Sequence, residues 1–254
     1  MAGADSAGVP WEGRSFSHGP PSDDDGSAPE RLIEALRRFR SRELGEAEVV
    51  DALRTARLLI PLVAQLGESG TNESGHLVDK SQELSIVTVA GPDGRNVLPV
   101  FSSVATMAAW NPAARPVPAD GARVALAAAS EQTDLVVLDP TSATEFAIRR
   151  PALWAIAQAK RWVPSYLDEE VLAEFMATAE PEEAIVAVQL APGDPDARLA
   201  GAELLVQLSL LDGLDGAELD ALLGRMQQRW VASELIATRV DSMTVRLASA
   251  SSAD

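Results

Sequence analysis

The chain has 254 residues, 46% of them apolar and 23% charged, which is enough to bury one large or two small cores and excludes wholesale disorder. Its 38 acidic and 21 basic side chains give a net charge of -17, which repels a phosphate backbone or an anionic membrane surface and favours a cationic partner. It contains no cysteine, so disulfides, thiolate nucleophiles, zinc ribbons and Fe–S ligation are excluded.

Residues 1–29 are rich in proline, glycine and serine, include the run Asp23-Asp24-Asp25-Gly26, and have few large apolar side chains beyond Trp11 and Phe16. That composition cannot offset the entropy of ordering and predicts a disordered acidic tail. Residues 1–21 lack the apolar run of a signal peptide, and no stretch approaches the ~20 apolar residues of a membrane span, so a cytoplasmic location is expected. From Glu30, Leu32, Ile33, Leu36 and Phe39 recur at helical spacing among Arg31, Arg37, Arg38, Arg40 and Arg42. The pattern predicts a basic amphipathic helix with its apolar stripe on the core and its arginines solvated. Gly45 ends it, and Val49, Val50, Leu53 and Ala56 outline a second helix.

The continuous β-prone run 58–66 reads as a strand buried on both faces. Runs 84–90 and 96–101 flank Gly91-Pro92-Asp93-Gly94, a hairpin signal with a turn mechanism. Ser102 or Ser103 is placed to cap a short helix stopped by Asn111-Pro112, and Asp120 to cap an alanine-rich helix ending near Ser130. Strands are expected over 134–139 and 144–148, then a helix opened by Pro151 and carrying Leu153, Trp154 and Ala157. Trp162-Val163-Pro164-Ser165 breaks the pattern and marks a boundary.

Beyond it lie a helix over 168–180 with an acidic start, a strand over 184–190, and a second strand in which Leu204, Val206, Leu208 and Leu210 alternate with more polar neighbours. Asp215 and Glu218 form a capping box ahead of Leu219, Leu222, Leu223, Met226 and Trp230, and Met243, Val245 and Leu247 alternate in a last strand. The fold class is α+β: a tail (1–29), a first domain (30–162), and a second domain (163–254) read as an antiparallel α-β-β-α-β unit, both with mixed or antiparallel sheets. Trp110, Trp154 and Trp230 sit on helical apolar faces and are expected in the core. The three segments carry 1 basic and 5 acidic side chains, 15 and 16, and 5 and 17, so the acidity is concentrated in the second domain at -12. That charge suits either a basic partner or docking onto the arginines of the first helix.

Signals for chemistry are sparse. The histidines are His18 and His76, and no Gly-x-Ser-x-Gly elbow accompanies them. Phosphate-binding and dinucleotide-binding glycine patterns are absent, so no cofactor is expected. The acidic groups Asp194/Asp196 and Asp212/Asp215/Glu218/Asp220 lack the spacing of a calcium loop, so no metal is expected. Aromatic residues do not sit in a basic alternating strand, which argues against RNA. One loop stands out: Asp79, Lys80 and Ser81 place one of only two lysines before a strand, a candidate contact for an anionic group or a partner, weighed against local turn hydrogen bonds.

The string Asp79-Lys80-Ser81, the hairpin from Ile86 to Arg95 and Leu98-Pro99-Val100-Phe101-Ser102-Ser103, followed in order by Trp110-Asn111-Pro112, Leu138-Asp139-Pro140 and Arg149-Arg150-Pro151-Ala152-Leu153-Trp154, resemble the N-terminal domain of the SseB family over about residues 46–162. The second half resembles the region that follows in bacterial members. The resemblance supplies no catalytic residues. The expectation is therefore a cytoplasmic, non-enzymatic binding or regulatory protein acting through protein–protein contacts, its partner unknown and possibly basic, with no nucleic acid and no membrane. The alternative is a small-molecule sensor, amino-acid-like in ligand, binding near Lys80 and the Pro-Asp-Gly hairpin; an unrecognised hydrolase comes third.

Overall fold

Leu32, Ala35, Leu36 and Phe39 share one face of α1 (Glu30–Arg40) and are buried, while Arg37 is held on the outer face by Glu34 and Arg38 by Glu43. The computed structural model describes residues 24–66 and 82–250. Most of the expected tail thus falls outside the described residues, but 24–29 are described and touch the body. Asp24 pairs with Arg57 at 2.9 Å, the Gly26 carbonyl accepts from the Val104 N–H, and the Ser27 carbonyl accepts from Arg57. α2 (Glu46–Arg54) follows, started by a Gly45 N–H bond to Glu48 Oε2, and buries Val49, Val50, Ala52 and Leu53.

β1 (Leu58–Leu66) spans the run read as a strand, and β2 (Gln82–Ile86) pairs with it antiparallel. The sequence reads 84–90 as one strand, but the chain changes sheet at Val87-Thr88: β3 (Val89–Ala90) pairs instead with β4 (Asn96–Val100) across the Pro-Asp-Gly turn. α3 (Val104–Trp110) is capped by Ser103 Oγ on the Thr106 N–H. β5 (Arg115–Ala119) was not foreseen, because Pro116 and Pro118 remove ladder donors; it pairs with β1 at the edge of its sheet, where prolines are tolerated. α4 (Gly121–Ser130), capped by Asp120, crosses back so that β6 (Val136–Leu138) lies parallel to β4, and β7 (Phe146–Ile148) closes that sheet antiparallel. The reciprocal Leu59–Phe101 bridge, with N–H···O distances of 2.8 and 2.9 Å, joins the β2-β1-β5 and β3-β4-β6-β7 sheets.

α5 (Arg150–Ala157) has Pro151 in its first turn and buries Pro151, Ala152, Leu153 and Ile156. Trp154 points the other way, 43% exposed beneath the Arg150 guanidinium 5.1 Å from its ring, so the expectation that it packs in the core is corrected. Trp230 does pack in a core, 5.5 Å from Phe175 centroid to centroid, and Trp110 is partly buried on Phe101. After a 3-10 turn at Ser165–Leu167, α6 (Glu169–Ala179) precedes β8 (Ile185–Pro192) and β9 (Leu204–Leu210), which are antiparallel. β9 buries every second residue, as its alternation requires. α7 (Gly216–Ala232), opened by the Asp215/Glu218 capping box, and α8 (Glu234–Arg239) then carry the chain across to β10 (Met243–Ser249). A helical crossover returns a strand parallel rather than antiparallel, and β10 runs parallel to β9, so the second unit is mixed where an antiparallel one was expected. The whole is an α+β protein with three sheets among the described residues.

One hydrophobic cluster joins α1, α2, β1, β4, α4, β6, β7 and α5, and a second joins α6, β9, α7 and α8. The β8–β9 loop crosses between them. Ala197 is buried in the first cluster, its carbonyl accepting from the Ala147 N–H at 2.7 Å, and Leu199 packs with Val97, Val137 and Ala147. The loop begins at Gly193, where a Cβ would lie 2.3 Å from the Ala202 carbonyl oxygen.

Asp139 ends β6 with φ at 45°, fully buried, and accepts from the Ser102 N–H at 2.8 Å, Ser102 Oγ at 2.6 Å and Thr144 Oγ1 at 2.8 Å. Asp139→Ala leaves the Ser102 N–H without an acceptor, and a loss of about 2–4 kcal/mol in urea unfolding is expected. An unchanged unfolding midpoint would show that this carboxylate does not hold the β4 and β6 ends together.

Candidate functional site

Asp79, Lys80 and Ser81 lie outside the described residues, as do His18 and His76. What the structure does bring together is a set of charges from distant parts of the chain. Arg149, the extended residue preceding α5, donates through Nη2 to Asp194 Oδ2 at 2.7 Å and the Gly201 carbonyl at 2.9 Å. Its Nη1 donates to Asp241 Oδ2 and Ser242 Oγ, both at 3.2 Å. The three side chains are only 6%, 3% and 2% exposed for Arg149, Asp194 and Asp241. Asp241 also takes Arg95 at 3.0 Å, and Arg95 is anchored by Asp93 in the hairpin turn. Asp194 Oδ2 in addition accepts the Leu199 N–H at 2.8 Å.

Around this clamp the carboxyls divide. Burial pushes Asp241 up, but the hydrogen bonds and charges of Arg95 and Arg149 outweigh it and hold the group below the usual aspartate range. Glu203 accepts from Ser165 Oγ at 2.8 Å and the Asp241 N–H at 2.6 Å, and burial nonetheless raises it. Glu46, at the start of α2, is raised to about 7 by burial and then by the Glu203 charge, with one hydroxyl donor, Tyr166, at 3.3 Å. The arrangement neutralises charge between segments and fastens the second half to the first. Sequence reading had no access to it, because Arg149 lies 45 and 92 positions from its two aspartates.

The second half also presents an open surface. Asp168 caps α6, whose Val171, Phe175 and Ala179 face the core at i, i+4 and i+8. Met176 falls off that stripe and is 55% exposed, a position readable from the helical spacing though not singled out. β8 is the edge of the β10-β9-β8 sheet, with a register shift between Ile185 and Ala187, and its Val186 is 50% exposed. Between them runs a groove of about 340 Å³ lined by Met176, Ala177, Glu180, Val186 and Val188. Glu182 behind it is held below the usual range, chiefly by Arg225 and then Arg229, at 2.6 and 2.8 Å. Glu180 and Glu183 are exposed and pair with no cation among the described residues.

Fold and clamp together define an α+β protein whose first half, α1 to α5, is a unit with its own core and whose second half is docked on it through buried aspartates. The family model for the SseB protein N-terminal domain matches residues 32–155, so the first half of the chain is an SseB N-terminal domain. Asp139 and Arg149, both inside that stretch, are thus structural members of it. No match was found among curated proteins or among solved structures. Among the described residues no helix is long and apolar enough to cross a membrane, and no group of three or more His, Cys, Asp or Glu side chains is placed to hold a metal ion.

Arg149→Met strands Asp194 in the interior and is expected to cost about 3–5 kcal/mol in chemical unfolding; a loss below about 1 kcal/mol would mean that water replaces the guanidinium. Glu46 gives a pH signature. Its folded value lies above the unfolded glutamate value of about 4.3, so the folded chain binds the extra proton, and the contribution to stability is full below that value and lost as pH rises through about 7. Glu46→Gln is therefore expected to be more stable than the parent at about pH 8 and no more stable at about pH 4. Equal unfolding midpoints at the higher pH would rule out a desolvated Glu46.

Proposed function

We propose that the protein is a cytoplasmic, non-enzymatic binding or regulatory member of the SseB family, working through contact with a basic protein segment at the α6–β8 groove. The observation that carries this reading is that, among the described residues, the β8 sheet edge is unpaired and is flanked by exposed Met176 and Val186 and by the carboxylates Glu180 and Glu183, which pair with no cation. It lies in the half whose net charge is -12. An extended segment added to such an edge gains main-chain hydrogen bonds, places alternate apolar side chains in the groove, and directs lysine or arginine toward the glutamates. Exposed charge of one sign steers a partner of the other and speeds encounter at low salt.

The test uses a synthetic peptide of alternating valine and lysine, measured by fluorescence anisotropy against the full chain. Binding is expected, weakened at least about tenfold by Val186→Asp with Met176→Asp, and weakened as ionic strength rises from about 0.05 to 0.5 M. Equal affinity for a peptide alternating valine and glutamate would discard the charge argument, and affinity indifferent to the double substitution would discard the groove.

A further inference from the structure

A second cavity, of about 440 Å³, lies beneath the Gly91-Pro92 turn, far in sequence from the α6–β8 groove. Its apolar walls come from separate parts of the chain: Val89 and Val97 of the hairpin, Val137 of β6, Trp110 at the end of α3, and Leu199 of the β8–β9 loop. Val97, Val137 and Leu199 belong to one buried apolar cluster against which Val89 packs. A cavity of this size with an apolar lining and a few polar groups at its rim has the general make-up of a small-molecule site.

The rim supplies the polar groups. Thr141, Glu145 and Arg198 line it. Among the described residues the Arg198 guanidinium has no hydrogen bond or ion pair, the Trp110 indole N–H donates to no protein acceptor, and the Thr141 hydroxyl is likewise unused. Glu145 is engaged, its Oε2 accepting from the Thr141 N–H at 2.6 Å. The local charge is positive although the chain is strongly acidic. Arg40, Arg42 and Arg198 face Asp196 and Glu145, and Asp196 is already taken by Arg42 at 2.6 Å. Arg198 is near enough to Arg40 for its charge to add to burial in lowering Arg40. Two wall residues, Thr141 and Leu199, hold left-handed backbone with φ of 66° and 57°, a conformation that costs a non-glycine residue and persists only where the surroundings fix it. Glu145 fixes the first through its hydrogen bond to the N–H, and Asp194 of the clamp fixes the second in the same way.

We infer that this cavity binds a small monocarboxylic acid with an apolar, aromatic-sized body, its carboxylate on Arg198 and its body against Val97, Val137 and Leu199 beside Trp110. A single free guanidinium beside Glu145 matches one negative charge, and the glutamate on the same rim disfavours a dianion such as phosphate. Since the hairpin belongs to the first half and the loop carrying Arg198 to the second, the ligand bridges both. The site and the β8 groove share no residue.

Isothermal titration of the full chain with 3-phenylpropionate, octanoate and the neutral 3-phenylpropionamide tests this, with methyl NMR to locate the site. At least one acid is expected to bind and to shift the methyl resonances of Val97, Val137 and Leu199. Arg198→Gln, an exposed substitution that leaves the core intact, is expected to weaken the acid about tenfold or more while leaving the amide unchanged. Binding of neither acid, acid affinity unaffected by Arg198→Gln, or shifts confined to other methyl groups would each overturn the assignment.

Discussion

A guanidinium removed from water is tolerable only if carboxylates meet it, and in this protein the carboxylates that meet Arg149 belong to the other half of the chain. That constraint places the two halves. A misplaced docking that keeps these side chains buried but breaks the pairing leaves a desolvated cation at the head of α5 and uncompensated carboxylates at Asp194 and Asp241. Buried ion pairs contribute little net stability against a well-packed apolar alternative, but they punish misplacement severely, which makes them better at specifying one arrangement than at strengthening it. Arg40 and Arg42 also reach the β8–β9 loop, at Asp196, but with Arg42 and Asp196 more than half exposed that pair is worth little by comparison. The outer pairs follow from docking, whereas the inner clamp dictates it.

The same region shows that burial alone does not decide the state of a carboxyl. Asp241, Glu203 and Glu46 are all withdrawn from solvent, yet the first is held low and the other two are raised. The difference is the cation count. Asp241 has Arg95 and Arg149 in direct contact, whereas Glu203 has a hydroxyl and a backbone N–H and Glu46 the Tyr166 hydroxyl, each with only a lesser contribution from the Arg149 charge and with a neighbouring carboxylate set against it. Desolvation is the leading influence at all three, and only at Asp241 do the guanidinium interactions outweigh it.

Local chemistry was legible in the sequence wherever one short segment carries its own reason. The apolar run of β1, the Pro-Asp-Gly turn between β3 and β4, the Ser103 and Asp120 caps, and the alternation of β9 all depend on neighbours within a few residues. What escaped depends on distant ones. β5 is a strand only because β1 offers it an edge, β10 runs parallel only because two helices intervene, and Trp154 is exposed because Arg150 covers a ring that its helix face cannot bury. The arginines of α1 and of the turn after it divide on the same principle. Arg37 and Arg38 are the solvated, locally paired face that composition suggests, while Arg40 and Arg42 meet a loop more than a hundred and fifty positions away. The loop residues singled out from sequence, Asp79, Lys80 and Ser81, fall outside the described chain, and the rim cation Arg198 gave no signal at all, being one arginine in a Pro/Gly/Asp loop.

The segment from β8 through its following loop ties these features together. β8 supplies the apolar edge between Met176 and Val186; immediately after it, Gly193 admits the close passage of the Ala202 carbonyl, Asp194 enters the clamp, Ala197 plugs the first core, and Arg198 and Leu199 reach the cavity beneath the hairpin. Asp194 Oδ2 holds Arg149 and the Leu199 N–H with the same oxygen, so the hydrogen bond that fixes a cavity wall is made by the group that docks the halves. A shift of this loop large enough to move Arg198 therefore also disturbs the Arg149 contact. The loop can present a positive rim within an acidic half because its own aspartates are occupied, Asp194 by Arg149 and Asp196 by Arg42, leaving Arg198 as the charge without a partner among the described residues.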